Sequence, residues 1–311
     1  MAFEHLQELL DRFPTLRLIG NTPLVPIQIF KDEFPEVEIY AKVEYFNPGG
    51  SIKDRPVFNM LGQAYLNGEL DGGRIVLDSS SGNAGIAYAM IGSILGVPVK
   101  LVIPDNASLE RKKRILAHGA TIHHTSAQDG YDEALREVRR MNAADPDRYF
   151  FCDQYSNENN WKAHFESTGR EIWEQTNGRV THFVCGVGTG GSITGIGKRL
   201  KHENPNVEVH CVIPDAFPGV EGLKPLGDEE DIVPGILDES VIDHRWNLDV
   251  DEAWDYSQAL ARQGLFAGQS SGGYFTGVYR LAKQIKKGVI VTLLNDVGER
   301  YMSTRLWDQM D

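Results

Sequence analysis

Residues 179–200, RVTHFVCGVGTGGSITGIGKRL, run from a β-branched apolar stretch through a turn holding Gly186, Gly188, Gly190 and Gly191 into a helix-length segment. A strand that feeds a helix through a glycine turn is half of a βαβ unit. Six further runs have the same strand character: RIVLDSS (74–80), VKLVIPD (99–105), ATIHHT (120–125), RYFFCDQY (148–155), VEVHCVIPD (207–215) and GVIVTLLND (288–296). The spacers at 82–96, 108–118, 129–145, 161–176, 191–204, 250–264 and 272–286 are helix-permitting and capped by Ser, Asn, Asp or Gly. The alternation predicts an α/β fold with mostly parallel sheets and helices on both faces. Two Gly-rich strand-to-helix turns, 78–85 and 186–192, suit two α/β halves meeting over a cleft. The expected division is a smaller domain over 48–150 and a larger one made of 1–47 and 151–311.

Composition narrows the functions. With 311 residues, 41% of them hydrophobic, the chain is long enough for one large core or two packed domains. Lys+Arg total 31 against 44 Asp+Glu, and the net charge of -13 repels phosphate backbones and anionic lipid surfaces, so neither nucleic acid nor membrane is expected as a partner. Cys152, Cys185 and Cys211 lie in apolar runs without a C-x-x-C pair, the usage of buried thiols in a reducing compartment; neither disulfide nor metal is expected. No apolar run approaches the roughly 20 residues of a membrane helix, and the N-terminal MAFEHLQELLDRFP carries acids where a signal peptide carries bases, so the expected location is the cytoplasm.

Four loops carry the candidate chemistry. In EYFNPGGSIKDRP (44–56) Lys53 follows a turn of Asn47, Pro48, Gly49 and Gly50 at the start of a helix, a place that exposes one side chain at a cleft. A lysine there is a surface cation or a nucleophile, and a nucleophilic amine needs burial, a neighbouring cation or covalent capture by an aldehyde. In LDSSSGNAGIAYAM (77–90), Ser79, Ser80, Ser81, Gly82 and Asn83 gather at a helix N-terminus, where they either cap the helix or receive a substrate carboxylate. The glycine turn 186–192 offers bare amides plus the hydroxyls of Thr189 and Ser192 to a phosphate. It also matches the dinucleotide pattern G-x-G-x-x-G at Gly186, Gly188 and Gly191, with Asp215 ending the next strand, which keeps a nicotinamide-dependent dehydrogenase open. In GLFAGQSSGGYFTG (264–277), Ser270 or Ser271 is a helix cap or the partner of a ring nitrogen.

Taken in order, LIGNTPLV (18–25), NPGGSIKDRP (47–56), SSGNAGI (80–86), DQYSNENN (153–160), STGREIWEQT (167–176), GVGTGGSITG (186–195) and GQSSGG (268–273) resemble the cysteine synthase (O-acetylserine sulfhydrylase) family of fold-type-II pyridoxal-phosphate (PLP) enzymes over nearly the whole chain. The resemblance implies two three-layer α/β domains of the tryptophan synthase β kind with PLP in the cleft. It implies that Lys53 forms the internal aldimine and later removes the Cα proton. Asn83 meets the ring hydroxyl, Gly188, Thr189, Gly190, Gly191 and Ser192 hold the phosphate, and Ser270, with Ser271 as the alternative, faces the pyridine nitrogen. The substrate carboxylate falls to Ser80, Ser81, Gly82, Asn83 and Gln154. One departure stands out: Ala84 occupies a position that is threonine in the family pattern T-S-G-N-T-G.

The implied reaction is β-replacement on O-acetylserine or O-phosphoserine by sulfide or a related nucleophile, through an aminoacrylate. A homodimer and a serine acetyltransferase or sulfur-carrier partner are implied as well. A cystathionine β-synthase-like or diaminopropionate-type synthase, and a non-catalytic PLP-binding scaffold, remain alternatives. Lys224, in 217–236, is either a surface lysine or a holder of an anionic donor.

Overall fold

The computed structural model describes residues 3–80, 82–105, 107–126, 130–215, 219–226 and 233–308. In chain order the first elements are α1 (Gln7–Arg12), β1 (Leu24–Pro26), β2 (Val37–Val43), α2 (Asp54–Leu66), β3 (Ile75–Ser79) and α3 (Asn83–Leu95). There follow β4 (Val99–Pro104), α4 (Leu109–Ala117), β5 (Thr121–Thr125), α5 (Gly130–Ala144), β6 (Tyr149–Phe151), α6 (Asn159–Ala163) and α7 (Arg170–Gln175). The last are β7 (His182–Gly186), α8 (Gly191–Glu203), β8 (Glu208–Pro214), β9 (His244–Leu248), α9 (Val250–Ala261), α10 (Gln269–Gln284) and β10 (Gly288–Leu294). The chain forms two compact units, Met1–Ile19 with Asn47–Asn160, and Gly20–Phe46 with Trp161–Asp311.

The first unit is built on a parallel sheet of order β5-β4-β3-β6. Ala134 and Val138 of α5 lie one turn apart, so one helix face meets Leu77, Val102 and Tyr149 in a buried cluster. Residues 1–19 group here and not with the C-terminal half, a correction to the expected boundary. Phe3 packs edge-on against Phe58 of α2 at 5.0 Å, and Gly62 leaves room for Leu6, whose Cδ1 would be 2.8 Å from a Cβ at that position. Strand β6 is shorter than expected because the chain turns after Phe151 and Asp153 takes a left-handed φ of 48°.

The second unit is built on a sheet of order β1-β2-β10-β7-β8-β9, parallel except for the β1–β2 pair. Helices cover both faces. A Cβ on Gly197 of α8 would lie 3.4 Å from Val209, and one on Gly277 of α10 would lie 2.6 Å from Val212, on the opposite side of the same strand. The expected α/β class with mostly parallel sheets is therefore what the chain adopts. Strands β1, β2 and β9 were not legible in the sequence. In β2, Glu38, Tyr40 and Lys42 alternate with apolar residues, and Lys42 is fully buried because Glu171 Oε2 lies 2.7 Å from its Nζ.

Candidate active site

Several site residues of each unit, Ser80, Asn83 and Gln154 in the first and the 186–192 turn and Asn295 in the second, follow the C-terminal ends of parallel strands, where α/β sheets place ligands. In the first unit the Asn47–Gly50 turn closes with Gly50 N–H donating to Asn47 O at 2.7 Å, and Gly50 holds a φ of 76° that favours glycine. Gly49 N–H donates to Asp54 Oδ2 at 2.5 Å, and a Cβ there would lie only 2.2 Å from Oδ1, so a side chain at 49 is excluded. The buried Asp54 thus fixes the turn to the first residue of α2, and Lys53 is the N-cap, half-buried, as the sequence predicted.

The end of β3 is tied down from both sides. Ser80 Oγ accepts from Gly85 N at 2.9 Å and from Gly82 N at 3.3 Å, so Ser80 caps α3 while keeping a hydroxyl proton to donate. Ser81 lies outside the described residues. Gly82 faces Arg111 of α4, whose Nη1 would be 3.4 Å from a Cβ there. Gln154 follows β6, the neighbour of β3 in the sheet, and donates Nε2–H to Ser79 O at 3.0 Å while Asn160 Nδ2 holds its carbonyl at 2.7 Å. One amide N–H of Gln154 remains at the end of β3, beside Ser79.

Beneath this loop lies Asp78, which the sequence reading did not single out. Tyr88 O–H donates to it at 2.5 Å, and the amides of Ser79 and Gln154 donate at 2.7 and 3.3 Å. Burial pushes its carboxyl up to about 7 in spite of these bonds. Cys152, Cys185 and Cys211 are buried free thiols, all pushed up by burial, so none of the three has thiolate character at neutral pH.

In the second unit β7 ends in the glycine turn that opens α8. Gly190, the N-cap, has a φ of 83°, and a Cβ on Gly188 would lie 2.6 Å from the carbonyl oxygen of Gly222. The first amides of a thirteen-residue helix have no carbonyl four residues back to receive them, and around this turn glycines keep side chains away. Thr189 is buried and Ser192 half-buried. Lys224 is joined to the same turn through its backbone N–H, which donates to Val187 O at 2.7 Å; residues 216–218 and 227–232 of its segment lie outside the described residues.

Beside this turn, α10 begins. A Cβ on Gly186 would lie 3.2 Å from Tyr274 Cε1, and the Tyr274 hydroxyl accepts from Asn295 Nδ2 at 2.7 Å. The same Nδ2 donates to Ser270 Oγ at 3.2 Å, so the buried Ser270 hydroxyl is held as an acceptor and its proton is left to donate. Asn295 Oδ1 is buried without a hydrogen-bond partner. Ser271 Oγ accepts from the backbone N–H of Asn295 at 3.0 Å and is fully buried, which ties it to the end of β10. The glycines after the serines serve packing: a Cβ on Gly272 would lie 2.0 Å from Ala253 O of α9. Asn295 was missed in the sequence. Its place one residue past the apolar run of β10 is the signal that marks it, because parallel strands deliver ligand-facing residues there.

These residues fit a pyridoxal phosphate group by the chemistry of their donors. A glycine-lined helix start suits a phosphate dianion, a hydroxyl with a directed proton suits a ring nitrogen, and a half-buried lysine suits an aldehyde.

Comparison with known proteins gives the same answer. Residues 15–296 match the family model described as "Pyridoxal-phosphate dependent enzyme". The chain is 48% identical over 305 residues to a cysteine synthase of Aquifex aeolicus, covering 95% of this chain and 92% of that protein. Among solved structures it is similar to the cysteine synthase of Entamoeba histolytica, with a TM-score of 0.89 at 32% identity over 96% of this chain and 91% of that one. It is likewise similar to O-ureido-L-serine synthase, with a TM-score of 0.88 at 34% identity, 96% of this chain and 95% of that one. The dinucleotide reading of Gly186, Gly188 and Gly191 is overturned by this match, and the chain belongs to the family of pyridoxal-phosphate dependent enzymes.

Proposed function

We propose that this enzyme is a cysteine synthase, replacing the β-substituent of O-acetylserine or O-phosphoserine with sulfide. The observation that carries the reaction type is Ser270: a hydroxyl whose proton is directed by Asn295 can bond a ring nitrogen without protonating it, which favours β-elimination and replacement over transamination. The 48% identity to a cysteine synthase over 95% of the chain supports sulfide as the nucleophile.

When bound, PLP supplies an aldehyde that links covalently to amines and a ring that accepts electrons. Lys53 would hold it covalently, and its Nζ would be the group that carries the Cα proton. The amides and hydroxyls of Gly188, Thr189, Gly190, Gly191 and Ser192 hold the phosphate, and Asn83 donates to the ring hydroxyl. The substrate carboxylate is received by Ser80, Ser81, Gly82 and Asn83 with the remaining Gln154 N–H. The cation of Arg111 next to Gly82 favours an anion there. Ala84 is buried, so the donor that threonine brings to this position in the family pattern is replaced by apolar packing. A homodimer and a cytoplasmic location belong to the same proposal; the buried free thiols agree with a reducing compartment, and among the described residues no helix is long and apolar enough to cross a membrane.

The test is a panel of O-acetylserine, O-phosphoserine and serine with sulfide, the product identified by mass. Cysteine from at least one O-activated donor is expected. Cysteine from none, with another nucleophile consumed in place of sulfide, overturns the assignment.

A further inference from the structure

The cofactor chemistry leaves unused a cluster of imidazoles in the second unit. Sheet register pairs His182 of β7 with Glu208 of β8, and His210 of β8 with His244 of β9. Glu208 and His210 are two residues apart on one strand and share a face. Glu208 Oε2 lies 3.8 Å from His182 Nε2, 3.5 Å from His210 Nε2 and 3.2 Å from His244 Nε2. One ligand atom from each of His182, Glu208 and His210 falls within 4.8 Å of the others. Ligands held tetrahedrally at about 2.0–2.1 Å from an ion are roughly 3.3 Å apart, so small side-chain movements close this set around a cation.

Two further observations point to a ligand. His210 is 1% exposed, yet its Nε2 has no hydrogen-bond partner and is aimed at the carboxylate. His182 Nδ1 lies 2.7 Å from Thr181 Oγ, whose own proton goes to Val289 O at 3.1 Å. With Nδ1 engaged by the Thr181 hydroxyl, Nε2 is the ring nitrogen of His182 that faces the cluster.

We propose that His182, Glu208 and His210 form a binding site for a divalent first-row cation of the zinc or cobalt class, with His244 at the edge of the cluster, bonded to the outer side of Glu208. Nitrogen and carboxylate donors in this number suit such ions and not magnesium or calcium. The cluster stands at the N-terminal ends of its strands, whereas the glycine turn follows the C-terminal end of β7, about 13 Å away along five strand residues. The site is thus separate from the phosphate-holding turn.

Trp246 opposes and reports the ion. Its Nε1–H donates to His210 Nδ1 at 3.2 Å, which keeps the imidazole proton on Nε2. A cation taking Nε2 moves that proton to Nδ1 and releases the indole.

The experiment titrates chelator-treated holoenzyme with Co(II), followed by calorimetry and by the visible d–d bands of the ion. One Co(II) per chain is expected, with His182→Ala and Glu208→Gln each weakening binding about tenfold or more, and Trp246→Phe tightening it about fivefold. Glu208 is exposed, so Glu208→Gln leaves the fold intact, and equal melting temperatures in chelator check this for each variant. No saturable uptake, or uptake that His182→Ala and Glu208→Gln leave unchanged, overturns the proposal.

Discussion

Asp78 should make the enzyme lose stability as pH rises. Its carboxyl sits at the end of β3 with burial as the main influence, and it titrates near 7 in the folded chain. In the unfolded chain it titrates near 3.9, so between about pH 4 and pH 7 the folded state holds a proton that the unfolded state has lost. Stability from this group therefore falls with rising pH through that window and is constant above it. A change of this size is worth on the order of 4 kcal/mol as an upper bound.

Asp78→Asn removes the titration while keeping the shape. The amide oxygen still accepts from Ser79 N, and Nδ2 donates to Tyr88, but the Gln154 N–H loses its acceptor, a pH-independent cost of about 1–2 kcal/mol. Urea unfolding of both holoenzymes should find the variant weaker at about pH 5 and gaining about 2–4 kcal/mol on the wild type by about pH 8. A difference that stays constant over that range refutes the reasoning.

Gly188→Ala would push a methyl group to 2.6 Å from Gly222 O and distort the turn, so PLP affinity measured by titrating apoenzyme should fall about tenfold or more; unchanged affinity removes the phosphate from this turn. Asn295→Leu deprives Ser270 of its donor, and a shifted absorption band of the bound cofactor is expected together with a lower kcat; an unaltered spectrum excludes the Ser270 link. Gln154→Ala should raise KM for the amino-acid donor about fivefold with little change in kcat, read from initial rates.

The parallel strands and the loops that follow them were legible because apolar runs and glycine turns are local signals. Strand β2 was not, since Lys42 reads as surface and becomes core through Glu171 and Gln175, more than a hundred residues away, together with the carbonyl of Thr22. The same holds at the site. Lys53, Ser80 and the 186–192 turn announce themselves by sequence, whereas Asp78, Arg111 and Asn295 acquire meaning from tertiary neighbours. Ser80 itself gains its part in capping only in the folded chain, where its Oγ accepts from Gly85 N–H in the first turn of α3. The histidine cluster has no sequence signature, because β7, β8 and β9 bring together residues 182, 208, 210 and 244 only in the sheet.

Borohydride reduction of the holoenzyme, followed by digestion and peptide mass analysis, tests the central claim most directly. The pyridoxyl group is predicted on Lys53 alone, and absent from Lys53→Ala. Its appearance on another lysine, or a reducible cofactor bond surviving in Lys53→Ala, would contradict the account.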